Sequence, residues 1–196
     1  MRLLFTIILS LGFSIGFSQT SFNWTPEYEL NIADFKSPQT EINEELTSYS
    51  ILSGSSMNFD FHMSVYQFMF TKNFNSKVKV IFNKNASVIT APNESIAEYL
   101  IKYGQYNFDL TELYARKFRK EIYLKKGTFS DVSFIQPIFN EIQEKMNAEN
   151  ARVLKATDMG KNEELLKQEH EKVLIEIDAL ADFCFECKPP KKKKKK

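Results

Sequence analysis

Side chains suited to catalysis are scarce in this sequence. It has two histidines, His62 and His170, and two cysteines, Cys184 and Cys187. Two histidines rule out a three-histidine metal site within one chain. His170-Glu171 is half of an H-E-x-x-H zinc motif, but Leu174 stands where the second histidine belongs. His62 lies between Phe61 and Met63 in an alternating run and faces opposite to them. Both histidines therefore read as exposed or hydrogen-bonded surface residues. Cys184-Phe185-Glu186-Cys187 is a C-x-x-C pair after a helical pattern and just before Pro189-Pro190. In an exported protein a local disulfide that ties off the helix end is the simplest reading, with intermolecular pairing and thiol redox chemistry as alternatives. A zinc knuckle would need two further ligands, which the tail does not supply. No G-x-S-x-G, P-loop or dinucleotide fingerprint occurs. Glu44-Glu45 and Glu163-Glu164 sit in polar surroundings and read as solvated faces.

The elements that must position these residues follow from periodicity. With 196 residues, 43% hydrophobic and 26% charged, the chain has apolar material for one ordinary domain, and six Gly and six Pro exclude a collagen-like composition. Thr47–Ile51, Met57–Phe70 and Lys77–Phe82 predict strands rich in Phe, Val, Tyr and Ile. The middle one alternates through Phe59, Phe61, Met63 and Val65. Ser53-Gly54-Ser55-Ser56 and Thr71–Ser76 are the turns, so an antiparallel meander with one covered face is expected. Phe59, Phe61 and Phe68 suit core packing better than a peptide groove. Gln19–Pro38 reads as an irregular or extended lead-in. From Asn93, which can cap a helix, Ile96, Leu100, Ile101, Phe108, Leu113, Tyr114, Phe118 and Ile122 recur at helical intervals to about Lys126, with Gly127 as the stop. This first helix reads as amphipathic with a basic C-terminal end. Further helices are expected over about 131–156 and 162–183. Strands first and helices second predict an α+β fold: a small antiparallel sheet followed by long helices on one face.

The two termini differ from this body. Arg2, the apolar run Leu3–Phe17 and small residues at Gly16 and Ser18 predict a signal peptide over Met1–Ser18. Residues 19–187 then form a single domain, and 188–196 a disordered basic tail. The whole chain has a formal charge of +1; without Arg2 and the six lysines of Lys191–Lys196 there remain 19 basic against 25 acidic residues, a charge of −6. An acidic, exported body disfavours nucleic acid as a partner. Lys191, Lys192, Lys193, Lys194, Lys195 and Lys196 could hold the protein on an anionic surface, or be a solvated tail. No segment after the leader is apolar enough to span a membrane.

The first long helix carries a resemblance. Tyr103-Gly104-Gln105-Tyr106-Asn107-Phe108-Asp109-Leu110-Thr111-Glu112-Leu113-Tyr114-Ala115-Arg116-Lys117-Phe118-Arg119 resembles, in register, the H-E-Q-x-H-F-D-[IL]-x-E-x-x-A-R-K-[LF]-R helix of a family of secreted zinc-dependent protease-like bacterial domains. Asn23-Trp24 and Asp34-Phe35 look like that family's opening element, and Thr157-Asp158-Met159-Gly160 like its T-x-H-G element. The resemblance implies a zincin-like fold. It also implies that the metal ligands and general base have been replaced: Tyr103 and Asn107 stand for the two histidines, Gly104 for the glutamate, and Met159 for a third ligand. Phenol, amide and thioether are poor zinc ligands, and glycine accepts no proton. The framework residues Gln105, Phe108, Asp109, Glu112, Arg116 and Arg119 are kept. The expectation is a non-catalytic, cofactor-free binding or scaffold protein, periplasmic or extracellular, with an unidentified protein or envelope component as partner. The alternatives are a metal-dependent peptidase with an unorthodox site and an envelope-attachment module.

Overall fold

The computed structural model describes residues 20–60, 63–71, 73–127 and 131–190. The expected signal peptide, His62 and the six-lysine tail lie outside these residues.

The architecture is α+β. Two three-stranded sheets, formed largely by the N-terminal half, pack against a long central helix, which two further helices cover from the other side. The first sheet has the order β1-β5-β4, all antiparallel: β1 is Ser21–Asn23, β4 Ser55–Phe59 and β5 Val78–Asn83. The second has the order β2-β6-β3, with β2 (Glu41–Ile42) parallel to β6 (Val88–Ala91) and β3 (Ser50–Leu52) antiparallel to it. The expected meander is therefore corrected. β3 and β4 follow each other through a short turn but pair with different strands, in different sheets.

Gly54 shows why they part. Its amide donates to Ser87 Oγ at 3.0 Å, and its carbonyl accepts from Asn83 N at 3.0 Å. A Cβ there would stand 2.2 Å from the Asn83 carbonyl oxygen and 2.3 Å from Ser87 Oγ. The turn is pressed into the β5–β6 connection, and only glycine permits that approach.

The strand expected over Met57–Phe70 is half strand and half helix. β4 ends at Phe59, and α1 spans Val65–Phe70. Ser64 Oγ accepts from Gln67 N, and Gln67 Oε1 accepts from Ser64 N. This reciprocal cap satisfies two helix-terminal donors and outweighs the apolar alternation. The strand expected over Thr47–Ile51 begins only at Ser50.

The helices follow their caps. α2, Glu94–Lys125, starts where Asn93 Oδ1 accepts from Ile96 N at 3.0 Å, and ends two residues before Gly127. α3 is Ile135–Ala156; Pro137 sits in its first turn, where a missing N–H costs nothing. α4 is Glu163–Ala179, capped by Asn162. α2 is amphipathic at its ends, where Glu94, Glu98, Lys102, Lys120 and Lys125 are exposed, but not in its middle. Every residue from Phe108 to Arg116 is buried, because the sheets cover one side and α3 and α4 the other. A helix buried all round cannot point its polar side chains at solvent, so each needs a partner inside.

Candidate functional site

Three polar side chains meet beside the N-terminal half of α2. Tyr103 and Asn107, four residues apart, lie on one face of the helix. The Tyr103 hydroxyl donates to Asn150 Oδ1 of α3 at 2.5 Å, and Asn107 Nδ2 donates to the same oxygen at 2.8 Å. Thr111 Oγ1, one turn on, donates to the Asn107 carbonyl at 2.8 Å. Above this triangle is a cleft of about 220 Å³ between the β3–β4 turn, α2 and α3. Its polar lining is Ser53, Ser55, Tyr103, Asn107, Thr111, Asn147 and Asn150, with Ile51, Leu52, Met146 and Leu154 as apolar walls. Among the described residues no carboxylate, lysine, arginine or histidine lines it. Burial pushes the Tyr103 phenol well above its ordinary value, so it is a neutral hydrogen-bond donor.

The donor set does not fit a zinc ion. The phenol and amide at the two helical positions are spent on Asn150, and neither is a good zinc ligand. Gly104 is packed against apolar side chains of the lead-in and β3. A Cβ at Gly104 would stand 3.1 Å from Phe35 Cζ and 3.3 Å from Ile51 Cδ1, with Leu30 Cδ1 at 3.7 Å. A side chain at this position would start among apolar groups that would have to give way to it. Met159 does not line the cleft; it is a half-buried residue packed against the core. Its turn nonetheless abuts the same helix. Asp158, Met159 and Gly160 all have positive φ, and a Cβ at Gly160 would stand 2.4 Å from the Tyr99 carbonyl oxygen and 3.2 Å from Tyr103 Cβ. Tyr49 donates to Asp158 Oδ2 at 2.8 Å and ties this turn to the segment before β3. Among the described residues no group of three or more His, Cys, Asp or Glu side chains converges.

The remaining residues of the motif helix form two buried polar hubs. Asp109, 4% exposed, accepts from Trp24 Nε1 at 2.6 Å on one oxygen. Its other oxygen takes Gln105 Nε2 at 3.0 Å and His170 Nε2 at 2.7 Å. Gln105 in turn accepts from Leu30 N at 2.8 Å. One carboxylate thus ties the N-terminal lead-in, α2 and α4 together. One turn on, Glu112 pairs with Arg116 Nε at 2.9 Å and Arg119 Nη1 at 2.8 Å. Arg116 also donates to the Ile177 carbonyl of α4. Arg119, whose side chain is fully buried, donates to the carbonyls of Val78 in β5 and Phe183 after α4. Burial pulls the Arg119 guanidinium below its ordinary value, and the Glu112 carboxylate pulls it back up. Phe108 packs edge-on against Phe22 and Phe82 in the apolar core. The arginine over the Trp24 ring is Arg116, at 5.5 Å.

His170 is thus a hydrogen-bonded residue at the edge of a buried hub, with an edge-on contact to Tyr106. Cys184 and Cys187 are joined in a disulfide. Sequence reasoning did not find Asn150, Ser53 or Ser55, nor the Asp109–His170 contact. Asn147 and Asn150, one helical turn apart between Met146 and Leu154, interrupt the apolar stripe of α3 and were the available signal.

No family model, curated protein or solved structure matches this chain.

Proposed function

We propose that this chain is an exported, non-catalytic binding protein built on a protease-like scaffold, and that the neutral cleft over Tyr103, Asn107 and Asn150 is its binding site. The observation that carries the reading is the closed triangle itself. At the two helical positions where a zinc peptidase would carry histidines, the polar atoms hydrogen-bond to one asparagine. Phe35 and Ile51 occupy the room beside Gly104. The framework residues Gln105, Asp109, Glu112, Arg116 and Arg119 are all engaged in holding elements together. A leader-like N-terminus and a disulfide suit an oxidising compartment outside the cytoplasm.

The cleft chemistry indicates the ligand class. Hydroxyl and amide groups between apolar walls suit an uncharged segment rich in hydrogen-bonding groups, such as a stretch of peptide backbone with small side chains. β4, an edge strand of its sheet among the described residues, starts at Ser55 on the rim of the cleft and offers a template for such a segment.

The test is metal analysis of the purified chain lacking the leader, together with nuclear magnetic resonance titration using uncharged Ser/Gly/Asn peptides. Metal below 0.1 equivalent, as a rough threshold for a structural or catalytic site, is expected, with shifts confined to Ser53–Ser55, Tyr103–Thr111 and Asn147–Asn150. Stoichiometric zinc, or protein hydrolysis abolished by a chelator, would overturn the reading.

A further inference from the structure

We propose that α1 and the C-terminal segment together form a docking face for an anionic lipid surface, in which the exposed side chains of α1 enter the headgroup layer and Lys191–Lys196 hold its negative charge. The proposal is independent of the cleft.

α1 presents its apolar side outward. Among the described residues, four of the eleven exposed large hydrophobic side chains sit in these six residues: Val65 (75% exposed), Tyr66 (72%), Met69 and Phe70 (64%). Only Phe68 turns inward, 1% exposed, against Phe74 and Phe134. The Tyr66 and Phe70 rings lie 4.7 Å apart and make one aromatic platform. A water-soluble surface rarely concentrates such groups without a partner, and an aromatic platform suits the boundary between headgroups and acyl chains. The platform is anchored. Lys126 at the end of α2 donates to the Met69 carbonyl at 3.2 Å and lies 5.1 Å over the Phe68 ring.

The basic tail leaves the fold at the same end. After α4 the chain turns through the Cys184–Cys187 disulfide, and Asn73 and Asn75, just beyond α1, both donate to the Cys187 carbonyl at 3.0 and 2.9 Å. Asn75 also donates to the Asp182 carbonyl. The Pro190 carbonyl accepts from Tyr123, three residues before Lys126 and therefore about 4.5 Å away along the helix axis. The chain continues directly into six lysines, which can reach at most about 20 Å from Pro190. Hydrogen bonds and a disulfide thus fix the origin of the basic segment beside the apolar platform. The body, at −6, would be repelled by an anionic surface; the tail reverses that at this one end.

The experiment is co-sedimentation of the chain from Gln19 to Lys196 with vesicles of phosphatidylcholine, with and without about 30% phosphatidylglycerol, a content that gives the surface a substantial negative potential. Three proteins are compared: the wild type, a Tyr66→Ser/Phe70→Ser variant and a chain ending at Pro190. Both changes lie at exposed or terminal positions, and circular dichroism checks that the fold is kept. Binding only to the anionic vesicles is expected, weakened at least about 10-fold by the α1 substitutions, at least about 100-fold by removing the lysines, and strongly by 0.5 M salt, a concentration at which charge attraction is screened within about 4 Å. Equal binding to neutral vesicles, or an unchanged affinity in either variant, would overturn it. So would a dimer that the α1 substitutions convert to monomer without altering vesicle binding, since a second copy would then be what covers α1.

Discussion

The Glu112 hub permits the sharpest test of the view that the motif helix is held by structural polar contacts. Glu112 and Arg119 are 3% and 0% exposed at their side chains, and Arg116 is 8% exposed. Replacing Glu112 with leucine removes the one carboxylate between two buried guanidinium groups. Arg116 keeps the Ile177 carbonyl, and Arg119 keeps those of Val78 and Phe183, but both charges lose their counter-ion. Breaking a buried ion pair in this way costs about 3–5 kcal/mol. Replacing Arg119 with leucine instead strands the Val78 and Phe183 carbonyls at about 1–3 kcal/mol each, while Glu112 keeps Arg116. The double variant removes both partners, so its cost should fall short of the sum by about 1.5–3 kcal/mol, as expected for directly contacting residues. Urea unfolding of the chain without its leader, followed by circular dichroism, measures all three at constant m-value. Against a total stability of about 5–15 kcal/mol these effects are large. A Glu112→Leu cost below about 1 kcal/mol, or additivity within about 0.5 kcal/mol, would refute the reasoning and mean that water or rearrangement satisfies the arginines.

Three further outcomes are expected. Gly104→Glu should destabilise by more than about 3 kcal/mol, because its Cβ would already crowd the apolar side chains of Phe35 and Ile51 and a charged group would follow; an unfolding midpoint equal to that of the wild type would show that the space is open. Asp109→Leu should cost about 2–4 kcal/mol, since it removes the acceptor of Trp24, Gln105 and His170. Trp24 is the single tryptophan, so its emission should shift in the folded variant, and an unchanged spectrum would contradict the Trp24–Asp109 bond. Glu169 is held below its ordinary value of 4.5 by hydrogen bonds from Lys172 and Arg152, against desolvation that raises it. The folded protein therefore binds fewer protons than the unfolded chain in this window. The Glu169 contribution should be complete above about pH 5 and lost as pH falls through the lowered value. The gap in urea midpoint between wild type and Glu169→Gln should accordingly be present at about pH 6 and shrink as pH falls below the ordinary carboxylate value; a gap independent of pH would show that charge is not its source.

The long helices were the most legible part of the chain. Asn93 and Asn162 announce α2 and α4 because a helix start needs a side-chain acceptor within three residues, and that requirement is local. The same local logic was available for α1 in Ser64 and Gln67. The alternation of Phe59 to Val65 overrode it, since a short apolar run satisfies both periods. Strand partners were not legible. β3 and β4 are neighbours in sequence, yet they divide between two sheets because Gly54 is wedged against Asn83 and Ser87, about thirty residues away. A meander and a split pair have the same alternation; only the long-range contact separates them.

For the site, residue types alone determined what cannot be built. Two histidines exclude a three-histidine metal site within one chain, and no fold can supply the missing imidazole. The composition also determined that a basic tail follows an acidic body. Tertiary structure decided what those positions do instead. Asn150 comes from another helix, forty-three residues beyond Asn107, to close the triangle. His170 comes from α4 to complete the Asp109 hub. The disulfide-bonded end of the chain is hydrogen-bonded to the segment that follows α1. Each is a hydrogen bond between elements far apart in sequence. Its residue types can be read from the chain, but its partner is set only when packing removes water and most buried donors and acceptors must find another.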